Sequence, residues 1–87
     1  MKYIVRIELH EAEPKDYDTL HKEMENRGYA RKINNDDLPH ATYFKDAIGL
    51  MIGVVAKDAI DAAAPTNKER TIVVAEANAI KVISRKY

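Results

Sequence analysis

The stretch MKYIVRIELH, residues 1–10, decides the fold. Tyr3, Val5, Ile7 and Leu9 alternate with Lys2, Ile4, Arg6, Glu8 and His10. A period of two marks a strand with one face in a core. The other face carries Arg6, Glu8 and His10 in a row, about 6–7 Å from one to the next at strand rise. A cation, a carboxylate and an imidazole so aligned are either a site or a solvated face.

The next segment, HEAEPKDYDTLHKEMENRGY, predicts a helix over 14–27. Pro14 suits a first turn, and Glu13, Asp16 and Asp18 favour the positive N-terminal end. Tyr17, Leu20, His21 and Met24 recur at helical spacing, and Gly28 is the expected C-terminal stop. YARKIN reads as a second strand over 29–34 and PHATYFK as a third over 39–45, joined by the turn cluster Asn34-Asn35-Asp36-Asp37. Pro39 lacks an amide donor and belongs at a strand start or edge. Residues 47–63 predict a second helix with Asp46 as its N-cap. Gly49 and Gly53 oppose that assignment, each by about 1 kcal/mol relative to Ala. TIVVAEA is a fourth strand over 71–77, and AIKVISR a fifth over 79–85.

This order predicts an α+β, ferredoxin-like βαββαβ two-layer sandwich with an extra C-terminal strand, one domain over 1–87. Two helices cover one sheet face and leave the other open. Parallel pairing of the first and third strands requires a right-handed crossover, which the first helix can supply.

Composition narrows the function classes. A chain of 87 residues makes one small domain and buries only about 60% or slightly more of its unfolded surface, so dimerisation would help it. Fourteen basic and 14 acidic residues cancel, so RNA contact must come from a local patch. There is no cysteine, hence no disulfide framework and no thiolate zinc site. The opening strand predicts no signal peptide. The apolar run AIGLMIGVVA stops after ten residues, too short for a bilayer span.

The candidate chemistry is histidine-based. His10 could exchange a proton near neutrality with Glu11 beside it, and Arg6 could hold a phosphate bidentately. Together they fit RNA cleavage by 2′-hydroxyl attack. His40 is the second candidate imidazole. His40 and Tyr43 differ by three residues, so alternation predicts opposite faces. Arg31 and Lys32 offer cations for phosphate, and Tyr43 offers a ring for base stacking. His21 reads as a packed or rim histidine of the helix. No metal-ligand spacing, phosphate loop or nucleophile elbow is present, so no metal and no cofactor are expected.

Residues 3–45 resemble a family of short bacterial and phage proteins that includes the GhoS endoribonuclease antitoxin of type V toxin–antitoxin systems. The matching text is YIVRIELHEAEPKDYDTLHKEMENRGYARKI, then LPHATY after the turn, with AKDAIDAAAPTNKERTIVVAEA fitting more loosely. The resemblance implies a ferredoxin-like domain similar to the small subunit of CRISPR spacer integration, cleavage of single-stranded messenger RNA, and a homodimer in the cytoplasm. The CRISPR-type subunit carries an acidic residue at the end of its first strand, where a metal binds. Here Leu9 and His10 fill that stretch, with Glu11 just beyond, which points to metal-independent chemistry. The rival expectation is a non-catalytic dimeric adaptor, of the phage type, that binds a protein partner through a sheet edge or face.

Overall fold

The computed structural model describes residues 1–83 and 85. The elements are β1 (Lys2–Leu9), α1 (Pro14–Asn26), β2 (Lys32–Ile33), β3 (Asp36–Asp37), β4 (Thr42–Asp46), α2 (Ile52–Ala63), a 3-10 turn (Ala64–Thr66) and β5 (Arg70–Ala77). They form a small α+β domain with two helices on a three-stranded antiparallel sheet of order β4–β1–β5.

β1 is the central strand because its alternation gives it a face to bury. Tyr3, Val5, Ile7 and Leu9 are all buried, while Arg6 and Glu8 are exposed. Leu20 and Met24 of α1 and Val55, Ala59, Ala62 and Ala63 of α2 close over that face. Each large apolar side chain so buried contributes about 1.5–3 kcal/mol. Buried phenols keep their hydroxyls satisfied, as such groups must. Tyr3 donates to the Leu50 carbonyl at 2.8 Å, and Tyr29 to Asp58 Oδ2 at 2.9 Å.

The first helix begins as its sequence requires. Pro14 opens it, and the Glu13 N–H donates to Asp16 Oδ2 at 2.9 Å. Arg27 caps its end, and Gly28 follows at φ 87, where a side chain would be strained.

Four expectations are corrected. First, β1 pairs with β4 antiparallel, Val5 facing Tyr43 and Arg6 facing Thr42, so no parallel pairing of these strands exists. Second, the hairpin is split. Ala30 bridges Phe44, but Lys32–Ile33 then peel away to pair with Asp36–Asp37 around a left-handed Asn34. Pro39 lies in the loop that follows, its carbonyl accepting from Thr42 N–H.

Third, the second helix starts at Ile52, with Met51 as N-cap, five residues later than expected. Asp46 is the last residue of β4, opposite Lys2, and takes the N-terminal ammonium at 3.4 Å. Gly49 sits at φ 74, so the glycine that weakened the helix assignment marks a turn instead. Fourth, the expected fifth strand is absent among the described residues 79–83 and 85. Ile80 to Ile83 instead line a groove of about 500 Å³ with Ile4, Leu38 and Thr42, on the sheet face away from the helices. Ser84, Lys86 and Tyr87 lie outside the described residues. No helix among the described residues is long and apolar enough to cross a membrane.

Candidate functional site

Helix α1 presents Tyr17, His21 and Glu25 one turn apart along one stripe, because residues four apart share a face. Beside this stripe runs the loop that enters β4. Ala41 there is held at φ 56, a left-handed conformation that interrupts strand alternation. His40 and Tyr43 therefore converge on one side instead of diverging, a correction to the expectation of opposite faces.

His21 stands between them. Its ring centroid is 5.6 Å from that of His40, edge to face, and 5.8 Å from that of Tyr43. Tyr17 meets His40 edge-on at 4.5 Å. His21 Nδ1 and the Tyr43 hydroxyl lie 2.7 Å apart, a strong hydrogen bond in which either partner can donate. The Tyr17 hydroxyl accepts from Leu9 N–H at 3.0 Å, which ties the stripe to the end of β1.

These surroundings tune the groups. Burial lowers the His21 pKa below its ordinary value, and the charges of Arg31 and His40 push the same way against Asp18 and Glu25. Burial pushes the Tyr43 phenol well above its ordinary range. An imidazole so held is biased toward its neutral form. When its Nδ1–H is given to Tyr43, its Nε2 lone pair remains to accept a proton.

A cleft of about 580 Å³ opens over this pair, lined by His21, Glu25, Arg31, Lys32, Pro39 and His40 among others. Arg31 Nε lies 3.6 Å from Glu25 Oε1, and Lys32 Nζ 3.5 Å from Asp37 Oδ1. Both pairs are solvent-exposed and so worth at most about 1 kcal/mol each. Either cation can leave its carboxylate for a phosphate at little cost.

Of the residues singled out from the sequence, His40, Arg31 and Lys32 meet at this cleft. Tyr43 does not offer a stacking face: it is fully buried under His21, in the core. Arg6 stands exposed on the opposite face of the sheet, between Thr42 and Val73. His10 lies beyond the end of β1, bonded to Thr71 Oγ1 at 3.0 Å, with Glu8 at 3.8 Å and Glu69 at 3.9 Å. The row of Arg6, Glu8 and His10 thus forms no single pocket, and the acidic neighbours of His10 disfavour a phosphate there.

The residue missed by sequence reasoning is His21. Its signal was present in the spacing of Tyr17, His21 and Glu25, which puts an imidazole between an aromatic ring and a carboxylate on one helix face. Among the described residues, no group of three His, Asp or Glu side chains is placed to hold a metal ion. No known family model matches the chain, and no curated protein matches it.

Proposed function

We propose that this protein binds single-stranded RNA at the His21–His40 cleft and cleaves it without a metal, as a relative of the GhoS-like endoribonuclease antitoxins. The observation that carries this is the pair of imidazoles with ring centroids 5.6 Å apart beside Arg31, one of them biased toward its neutral form by burial. Cleavage by 2′-hydroxyl attack needs a base, an acid and a cation at the phosphorane. His21 accepts the 2′-hydroxyl proton, His40 delivers one to the 5′-leaving oxygen, and Arg31 holds the phosphate, with Lys32 alongside. His10 and Arg6 leave this assignment because neither lines the cleft. Resemblance to the antitoxin family supports RNA as the substrate class, and a cytoplasmic location goes with it.

A ferredoxin-like arrangement belongs to the same proposal. In its support, the Ala30 bridge lies outside β4, giving the order Ala30 segment, β4, β1, β5, with both helices on one face.

The test is cleavage of an RNA panel in EDTA. Wild type should cut, and His40→Ala and His21→Gln should each cut about 10²–10⁴-fold more slowly, the usual worth of one proton-transfer group. Wild type that cuts only with added metal, or variants that cut at the wild-type rate, would overturn the mechanism.

A non-catalytic dimeric adaptor has its own supporting observation. Ile48, Met51, Ile52, Val54 and Ile60 are all exposed around α2, an apolar surface of the kind that proteins cover. Absence of cleavage, with protein partners that stay bound in a pull-down after nuclease treatment, would favour it.

A further inference from the structure

The outer edge of β5 carries a pattern that the cleft does not explain. β5 ends the sheet, and no strand among the described residues pairs with its outer side. The direction of its backbone groups is fixed by one bond. His10 N–H donates to the Glu69 carbonyl at 2.8 Å, one step beyond the Leu9–Arg70 pair of the register. Hydrogen-bonded and non-bonded pairs alternate along an antiparallel ladder. Thr71, Val73 and Ala75 therefore turn their N–H and C=O toward β1, while Arg70, Ile72, Val74 and Glu76 turn theirs to the free edge.

We propose that this edge joins a second copy of the chain, β5 against β5 antiparallel, with the two-fold axis at Val73. In that register Arg70 stands opposite the partner's Glu76, and Glu76 opposite the partner's Arg70. Ile72 stands opposite the partner's Val74, and Val73 opposite the partner's Val73. The four outward-facing residues of each copy form the hydrogen-bonded pairs. Neighbouring registers lose this match. An axis at Ile72 sets Arg70 against a valine, and an axis at Val74 sets Glu76 against an isoleucine. Opposite charges directly across a ladder stabilise it, and a charge against an apolar residue does not.

The helix above continues the same surface. Asp58 of α2 is turned toward the α1 side, where it takes the Tyr29 hydroxyl. Ile52, Ala56 and Ile60 lie on the opposite flank, one turn apart, with Ile52 and Ile60 about half exposed. Below them Ile72 and Val74 are only partly buried. A second copy at the edge covers all of these. The segment after β5 does not obstruct it, since Ile80 to Ile83 line a groove shared with Ile4, Leu38 and Thr42, toward β4.

The chain has no cysteine, which makes the register directly readable. Val73 faces itself across the axis as a non-hydrogen-bonded pair, with Cα atoms about 4.5 Å apart. That separation is inside the disulfide range of about 4.4–6.8 Å. Val73→Cys should link to itself under mild oxidation. Thr71→Cys and Ala75→Cys should link to each other when mixed, and each poorly to itself. Sedimentation velocity should show a dimer for wild type, a dissociation constant raised about tenfold or more by Arg70→Glu, and recovery in the Arg70→Glu/Glu76→Arg double variant. A wild type that stays monomeric at every concentration would overturn the proposal, leaving the edge for a different protein. So would Thr71→Cys or Ala75→Cys linking to itself faster than Val73→Cys.

Discussion

His40 and His10 are both histidines at a junction of strand and loop, yet they stand in opposite company. His40 is met by Tyr17 and His21, with Arg31 and Lys32 across the cleft. His10 is met by a threonine and two glutamates. One set of neighbours brings cations beside the imidazole, and the other brings carboxylates. What separates them is the packing of α1 on the sheet, which buries Tyr43 and sets His21 on top of it.

The largest effect should come from removing that support. Tyr43→Ala takes away a fully buried ring and should cost about 3–5 kcal/mol in urea unfolding. Tyr43→Phe keeps the ring and removes only the hydroxyl bonded to His21, so about 1 kcal/mol is expected. Equal losses from both variants would break the picture of a ring acting as a platform.

Arg31→Ala should weaken RNA binding about tenfold and lower the salt slope by about one, as loss of one phosphate contact does. Arg6→Ala should leave both quantities near wild type in the same titration. If Arg6→Ala proves the more damaging, the RNA crosses the open sheet face and the cleft is not its site.

A smaller effect separates His21 by pH. Burial lowers its folded-state pKa below 6.5, so the unfolded chain binds that proton more readily. Its contribution to stability is complete above about pH 6.5 and is lost as pH falls through the folded-state value. Thermal unfolding of wild type and His21→Gln from pH 8 to pH 5 should therefore converge toward the acid end. Curves that run parallel would show that His21 is not held neutral.

The smallest effect should be that of His10→Ala, within about 0.5 kcal/mol in stability because the side chain is largely exposed and its nearest carboxylates stand 3.8 and 3.9 Å away. Its RNA cleavage should match wild type. Lost cleavage there would return the chemistry to the end of β1.

Much of the fold was legible because its signals are local. Alternation in residues 2–9 needs no partner to be seen, and Pro14 and Gly28 bracket α1 from the sequence alone. The start of α2 was misplaced because Asp46 has the chemistry of a cap but is already claimed by β4 and the N-terminus. The expected fifth strand had the right residue types, but Ile80 to Ile83 line a groove on the sheet face and pair with no strand among the described residues. The cleft was half legible. His40, Arg31 and Lys32 carry obvious chemistry, whereas the convergence of His40 with Tyr43 depends on one left-handed alanine that no periodicity announces. His21 was visible as a residue but not as a centre, since its role comes from a hydrogen bond to a residue 22 positions away.

The buried phenols give this molecule an optical clock. The chain has no tryptophan, so tyrosine dominates its near-ultraviolet absorbance. Burial raises the ionisation of Tyr29 and Tyr43 far above the ordinary 10.0, and Asp58 adds to the effect at Tyr29. In an alkaline jump to a pH where free tyrosine is fully ionised, these two rings stay protonated until the core opens. The slow phase of phenolate absorbance then times that opening in unlabelled protein.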